Sequence, residues 1–223
     1  MEDESRWREK AVERSLRSAR ARALSRSDRF ITAATELVHE TGRIDFTVHE
    51  VVERSKMSLR SFYQHFASKD ELLLALFEET VRDTTSRLRT YVDKFSDPVD
   101  RLRAFVVGLY GTAERDDDPA SRALTIFHLQ LADSHPAELA RALAPQVDLL
   151  TEIVEAGIKT GQFRRDIEPP ALVTILMQSL VGALQMPVLQ IQLTGVAVTA
   201  KQLWAFYLTA VTPPSTKRRP AHA

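Results

Sequence analysis

Apolar residues recur with helical period along almost the whole chain, and no segment reads as a strand. Phe30, Ala33, Ala34, Leu37 and Val38 follow the i, i+3, i+4, i+7, i+8 stripe of an amphipathic helix. That stripe stops at Thr41-Gly42, where glycine supplies a C-terminal cap. Thr47-Val48-His49-Glu50 then spells a capping box, with Phe46 and Val51 spaced as its hydrophobic staple. The short helix it opens ends near Arg54, and Lys56-Met57 make a tight connection. Ser58 caps a third helix carrying Leu59 to His65. A second capping box, Ser68-Lys69-Asp70-Glu71, opens a long helix with Leu72, Leu73, Leu76 and Phe77 on its first turns.

Three helices with a 3–4-residue turn before the last describe a helix-turn-helix unit. In such a unit the final helix, here about Ser58 to His65, normally lies in the DNA major groove. Beyond residue 75, helical stripes continue through Val81–Phe95, Val99–Thr112, Pro119–Leu131, Pro136–Thr160, Pro169–Met186 and Val198–Val211. Breaks fall at Asp97-Pro98, Asp116–Asp118, His135-Pro136, Gly161 and Pro169-Pro170, with proline at or near several helix starts. The pattern predicts an all-α chain of about nine helices.

Hydrophobic residues make up 44% and charged residues 27% of the 223 positions, ordinary globular usage. The absence of cysteine excludes disulfides, thiolate metal sites and a cysteine nucleophile. The N-terminus lacks the apolar region of a secretory signal, and no window is read as reaching the ~18 apolar residues that span a bilayer. A cytoplasmic protein with no membrane partner is therefore expected. Net charge is +0, so charge alone does not favour a nucleic-acid partner. Its distribution is more informative. Arg14, Arg17, Arg20, Arg22, Arg26 and Arg29 fall in a stretch whose one acid is Asp28. A phosphate-neutralising arm and a solvated extension both fit that composition.

The string Phe62-Tyr63-x-His65-Phe66-x-Ser68-Lys69-x-Glu71-Leu72, with Phe46 to Ser55 before it, closely resembles the DNA-binding domain of TetR-family transcriptional regulators. The close match covers about residues 27 to 75. Two positions depart from the family pattern. Lys56 stands where a turn glycine is usual, and Arg60 where a small residue or proline is common. The resemblance implies a homodimer on a palindromic double-stranded DNA operator and a small hydrophobic effector that releases it; no cofactor, metal or catalytic residue is expected. Repression is the commoner mode in such proteins.

By the same resemblance, Leu59, Arg60, Ser61 and Gln64 face base edges. A guanidinium pairs bidentately with guanine, worth ~1–3 kcal/mol of discrimination, while Leu59 suits a thymine methyl and Gln64 an adenine. Thr47, Ser58, Ser61, Tyr63, His65 and Lys69 complete the DNA-binding set, chiefly as phosphate contacts that position without reading sequence. Phe62 and Phe66 are core positions. Leu59 fits packing as well as base contact, and Tyr63 fits a ring partly in the core with its hydroxyl outward.

The resemblance also implies a pocket from Phe105, Leu109, Tyr110, Phe127, His128, Leu131 and Met177, although ordinary core is the simpler reading of each. Leu172, Val173, Ile175, Leu176, Met177, Leu180, Val181 and Leu184 surround more of their helix than one core stripe requires. The expected dimer interface is Leu172, Leu176, Leu180, Gly182, Ala183, Leu203, Trp204 and Tyr207, a fully buried monomer helix being the other reading. The expected organisation is a basic flexible arm (1–26), a helix-turn-helix domain (27–72), an effector-binding and dimerisation domain (73–212) and a disordered tail (213–223). The other classes are a helical dimer whose degenerate helix-turn-helix serves protein contacts, and an enzyme. For the latter, no Gly-rich phosphate loop, H-E-x-x-H or G-x-S-x-G occurs, and the six histidines show no metal-ligand spacing.

Overall fold

The computed structural model describes residues 25–114, 119–191 and 193–214. Arg14, Arg17, Arg20 and Arg22 of the basic arm, the Asp116–Asp118 loop and most of the basic tail lie outside them. Ser25 and Arg26, expected in the arm, are already helical. The described residues form nine helices and no strand: α1 (25–41), α2 (Val48–Ser55), α3 (Leu59–His65), α4 (Lys69–Val92), α5 (Pro98–Glu114), α6 (Pro119–Ser134), α7 (Pro136–Lys159), α8 (Pro169–Val188) and α9 (Ala200–Val211). The chain divides into two compact units, Met1–Phe77 and Glu78–Ala223, the division falling inside α4.

In the first unit the α1 stripe is the core: Phe30, Ala33, Ala34, Leu37 and Val38 are all buried. Gly42, at φ 65°, ends α1, and its N–H donates to the Val38 carbonyl at 2.8 Å. The first capping box is complete. Glu50 N–H donates to Thr47 Oγ1 at 3.2 Å, and Thr47 N–H donates to the Glu50 carboxylate at 2.6 Å. Those bonds hold the Glu50 carboxyl below its ordinary range. The second box differs in one half. Glu71 N–H reaches Ser68 Oγ at 3.2 Å, but the Glu71 carboxylate takes the N–H of Ala67 at 2.5 Å, one residue earlier than expected.

In the second unit α5 packs against α7, α8 and α9, and α6 against α7 and α8. Val81, Thr85, Leu88 and Val92 form the buried stripe of α4, with Thr85 Oγ1 donating to the Val81 carbonyl at 2.6 Å. Asp97 caps α5 by accepting from the N–H groups of Val99 and Asp100, and its second oxygen accepts from Gln162 Nε2 at 2.6 Å.

By length and composition α8 is apolar enough to cross a membrane, which corrects the expectation that no window is. Its Leu172, Val173, Leu176, Met177 and Leu180 are instead packed into the core of this unit.

Candidate nucleic-acid interface

The turn before α3 is built on an unfavourable dihedral. Lys56 sits at φ 54°, ψ 37° in the left-handed region, and its N–H donates to Glu53 O while Met57 N–H donates to Val52 O. This 5→2 and 6→1 pair is a left-handed helix cap, in which the Cβ crowds the backbone and glycine is preferred. The same bond pair closes α7 at Gly161, φ 76°, and α8 at Gln190, φ 58°. The sequence departure at Lys56 thus keeps the usual turn geometry at a strain cost of roughly 1–2 kcal/mol.

Beyond the turn, Ser58 Oγ accepts from Ser61 N–H at 3.1 Å and starts α3. Phe62 and Phe66 point inward, Phe62 fully buried. Leu59, Arg60, Tyr63 and Gln64, at i, i+1, i+4 and i+5, share the exposed face; Leu59 is 43% and Tyr63 57% accessible. The outward reading of Tyr63 is therefore the one the geometry favours, and Leu59 is not packed in the core.

Three of the expected DNA-facing groups, Thr47, Lys69 and His65, have other engagements, and a fourth, Ser61, is enclosed. Thr47 Oγ1 accepts from Glu50 N–H and also donates to the Glu50 carboxylate at 2.7 Å. Lys69 Nζ donates to the Ile44 carbonyl at 3.3 Å and lies 5.7 Å from the Phe46 ring centroid, so its ammonium closes the α1–α2 linker. His65 is half-buried and tilted against Phe30. Ser61 Oγ is closed to solvent without a hydrogen-bond partner.

A cleft of about 510 Å³ opens beside α3, lined by Arg26, Arg29, Lys56, Met57, Ser58, Arg60, Ser61 and Gln64. Four cations and no acid line it, so its field favours an anion. Arg26, Arg29, Lys56 and Met57 were not among the expected site residues. The sequence reading places Arg26 at the end of the arm and Arg29 at the start of the helix-turn-helix domain, within one basic stretch; both belong to α1.

In the second unit, Phe105, Leu109, Tyr110, Phe127, Leu131 and Met177 are buried, while His128 is half-buried, with desolvation lowering its pKa. Tyr110 Oη donates to the Val198 carbonyl at 2.7 Å. The expected dimer residues separate into two groups. Leu172, Leu176, Leu180 and Tyr207 lie in the chain's own core, Tyr207 Oη being 2.9 Å from Ser179 Oγ. Within one chain these four side chains are therefore already covered. Gly182, Ala183, Leu203 and Trp204 are half-buried, and the exposed apolar side chains of the same helices are Ile175 (53%) and Phe206 (65%).

A bundle whose short third helix is clamped by aromatic rings and bordered by cations is a helix-turn-helix domain. Residues 30–76 match the model of the bacterial regulatory proteins of the tetR family. Over 117 residues the chain is 29% identical to the HTH-type transcriptional regulator BetI of Stenotrophomonas maltophilia, a match covering 52% of this chain and 58% of that relative. It is 26% identical over 161 residues to the HTH-type transcriptional repressor DhaR of Mycobacterium sp., covering 69% of this chain and 78% of DhaR. Its fold is like that of RolR in complex with resorcinol, with a TM-score of 0.63 at 23% identity over 86% of this chain and 89% of RolR. The first unit is thus similar to the DNA-binding domain of the tetR family, and the relatives that the chain resembles are HTH-type transcriptional regulators.

Proposed function

We propose that this chain is a cytoplasmic transcriptional repressor that binds a palindromic double-stranded DNA operator as a homodimer and leaves it on binding a small hydrophobic effector. The observation that carries the DNA-binding part is the exposed face of α3, with Arg60, Tyr63 and Gln64 beside a cleft of four cations and no acid. Arg60 and Gln64 read base edges, with Leu59 against a thymine methyl. Thr47, Ser58, Tyr63, His65 and Lys69 hold phosphates, Lys69 by exchanging its intramolecular bond to Ile44 for one to DNA.

The second copy packs on the exposed face of α8 and α9, through Ile175 and Phe206 and the half-buried Gly182, Ala183, Leu203 and Trp204. That placement uses the apolar excess of α8 that the core does not cover, and a two-fold dimer suits a palindrome. The effector enters among Phe105, Leu109, Tyr110, Phe127, His128, Leu131 and Met177, whose chemistry suits an apolar or aromatic molecule with few polar anchors. RolR, of like fold, is known in complex with the aromatic ligand resorcinol. Release is a population shift, equal in size to the effector's differential affinity for the two DNA-binding states.

A gel-shift series against DNA upstream of the chain's own gene, at rising salt, tests the reading. One fragment should stay bound at ~150 mM salt while unrelated duplexes are released. Loss of every fragment above ~50 mM salt would contradict it.

A further inference from the structure

Three of the last four carbonyls of α2 have identified donors. Val52 O accepts from Met57 N–H at 3.2 Å and from Ser55 Oγ at 3.1 Å, and Glu53 O accepts from Lys56 N–H. Ser55 O, the last carbonyl of α2, accepts from Arg29 Nη2 at 2.9 Å, across 26 residues of sequence. Ser55 is itself buried, and the next residue is the left-handed Lys56.

A turn held on a disfavoured dihedral relaxes unless its surroundings fix it. Arg29 is placed to do so, because its backbone neighbour Phe30 is anchored against Phe62 and Phe66 of α3. Adjacent residues of α1 therefore grip the motif at two points, Phe30 by packing on α3 and Arg29 by a charged hydrogen bond to the turn.

We propose that Arg29 is a positioning residue for DNA recognition: its bond to the Ser55 carbonyl fixes the turn and so the direction in which α3 presents Leu59, Arg60 and Gln64. This rests on the DNA-binding reading above. The rival role is a direct phosphate contact, since Arg29 also lines the basic cleft.

Arg29→Met in the full chain separates the two, because the side chain keeps its aliphatic length and loses its donors. Hydrogen exchange on the DNA-free protein should be about tenfold faster at the amides of Lys56 and Met57, with the Gly42 amide unchanged. The DNA probes are a duplex enriched by the wild-type chain from a random pool and a shuffled duplex of equal composition. The variant should lose about tenfold in preference for the enriched duplex, with the salt dependence of binding unchanged.

Unchanged exchange at the turn overturns the proposal. So does equal weakening on both duplexes with a salt slope lower by about one, the mark of a phosphate contact. A wild-type chain that enriches no sequence removes the DNA-binding reading itself. A variant that still discriminates on an enriched sequence removes only the role of Arg29. Should Arg29→Met fail to fold, Arg29→Gln carries the same readouts, its amide being too short to reach Ser55.

Discussion

The ring of Phe30 meets that of Phe62 edge-on, with centroids 5.5 Å apart and planes at 84°. Phe66 closes the group, 6.2 Å from Phe30 and 5.6 Å from Phe62. Edge-to-face contact sets the positive rim of one ring on the negative face of another, so it favours a particular rotation as well as burial. The orientation of α3 is thus fixed by packing on α1. Phe62→Ala should cost ~3–5 kcal/mol in urea unfolding, whereas Phe62→Leu should cost less and keep DNA binding. Equal stability of Phe62→Ala and wild type would show that the cluster does not hold the unit together.

Lys56→Gly should stabilise the first unit by ~1 kcal/mol, because it removes the Cβ clash of a left-handed residue while leaving the backbone bonds of the cap in place. Gly161→Ala, at the matching position of α7, should destabilise by a similar amount. Thermal melts of the two variants check the pair. Shifts of the same sign would show that Lys56 relaxes out of the left-handed region.

The local signals of this fold were written in short stretches, which is why they could be read. The α1 stripe, the Thr47–Glu50 box and the inward Phe62 and Phe66 all depend on neighbours within one or two turns. Which side of α8 faces the chain's own core is not legible in this way. Leu172, Leu176 and Leu180 were expected at a dimer surface, yet the core claims them, and Ile175 is left outside. A helix apolar nearly all round carries no periodicity to say which side faces its own chain. Ser61 was placed on the DNA face by resemblance, and its enclosure depends on neighbours that the α3 sequence does not reveal. The basic cleft was missed for a similar reason, since Arg26 and Lys56 meet only after α1 and the turn fold together.

Ile175→Glu and Phe206→Glu should both give folded monomers with weakened operator binding. Leu176→Glu should instead unfold the second unit, since it places a carboxylate among Leu172, Val173 and Leu180. Light scattering and circular dichroism separate the outcomes. Folded dimers from both surface variants would place the interface elsewhere.

Burial holds the pKa of His128 below its ordinary value near 6.5. The folded state therefore binds fewer protons at this site than the unfolded chain, so stability is full above that value and falls as pH drops through it. The urea midpoint should decline between pH 8 and pH 5, and His128→Phe should flatten that decline. An unchanged decline in the variant would assign it to other groups.

The central claim, that α3 reads base sequence, is tested most directly by anisotropy titration of the wild-type, Arg60→Ala and Lys69→Ala chains against an enriched duplex and its single-base variants. The wild-type chain should prefer the enriched duplex to a shuffled one by at least ~10³ at physiological salt. Arg60→Ala should lose discrimination at one base position in each half-site, while Lys69→Ala should weaken every duplex about equally. Equal binding of all duplexes by the wild-type chain, or an identical uniform loss in both variants, would contradict it.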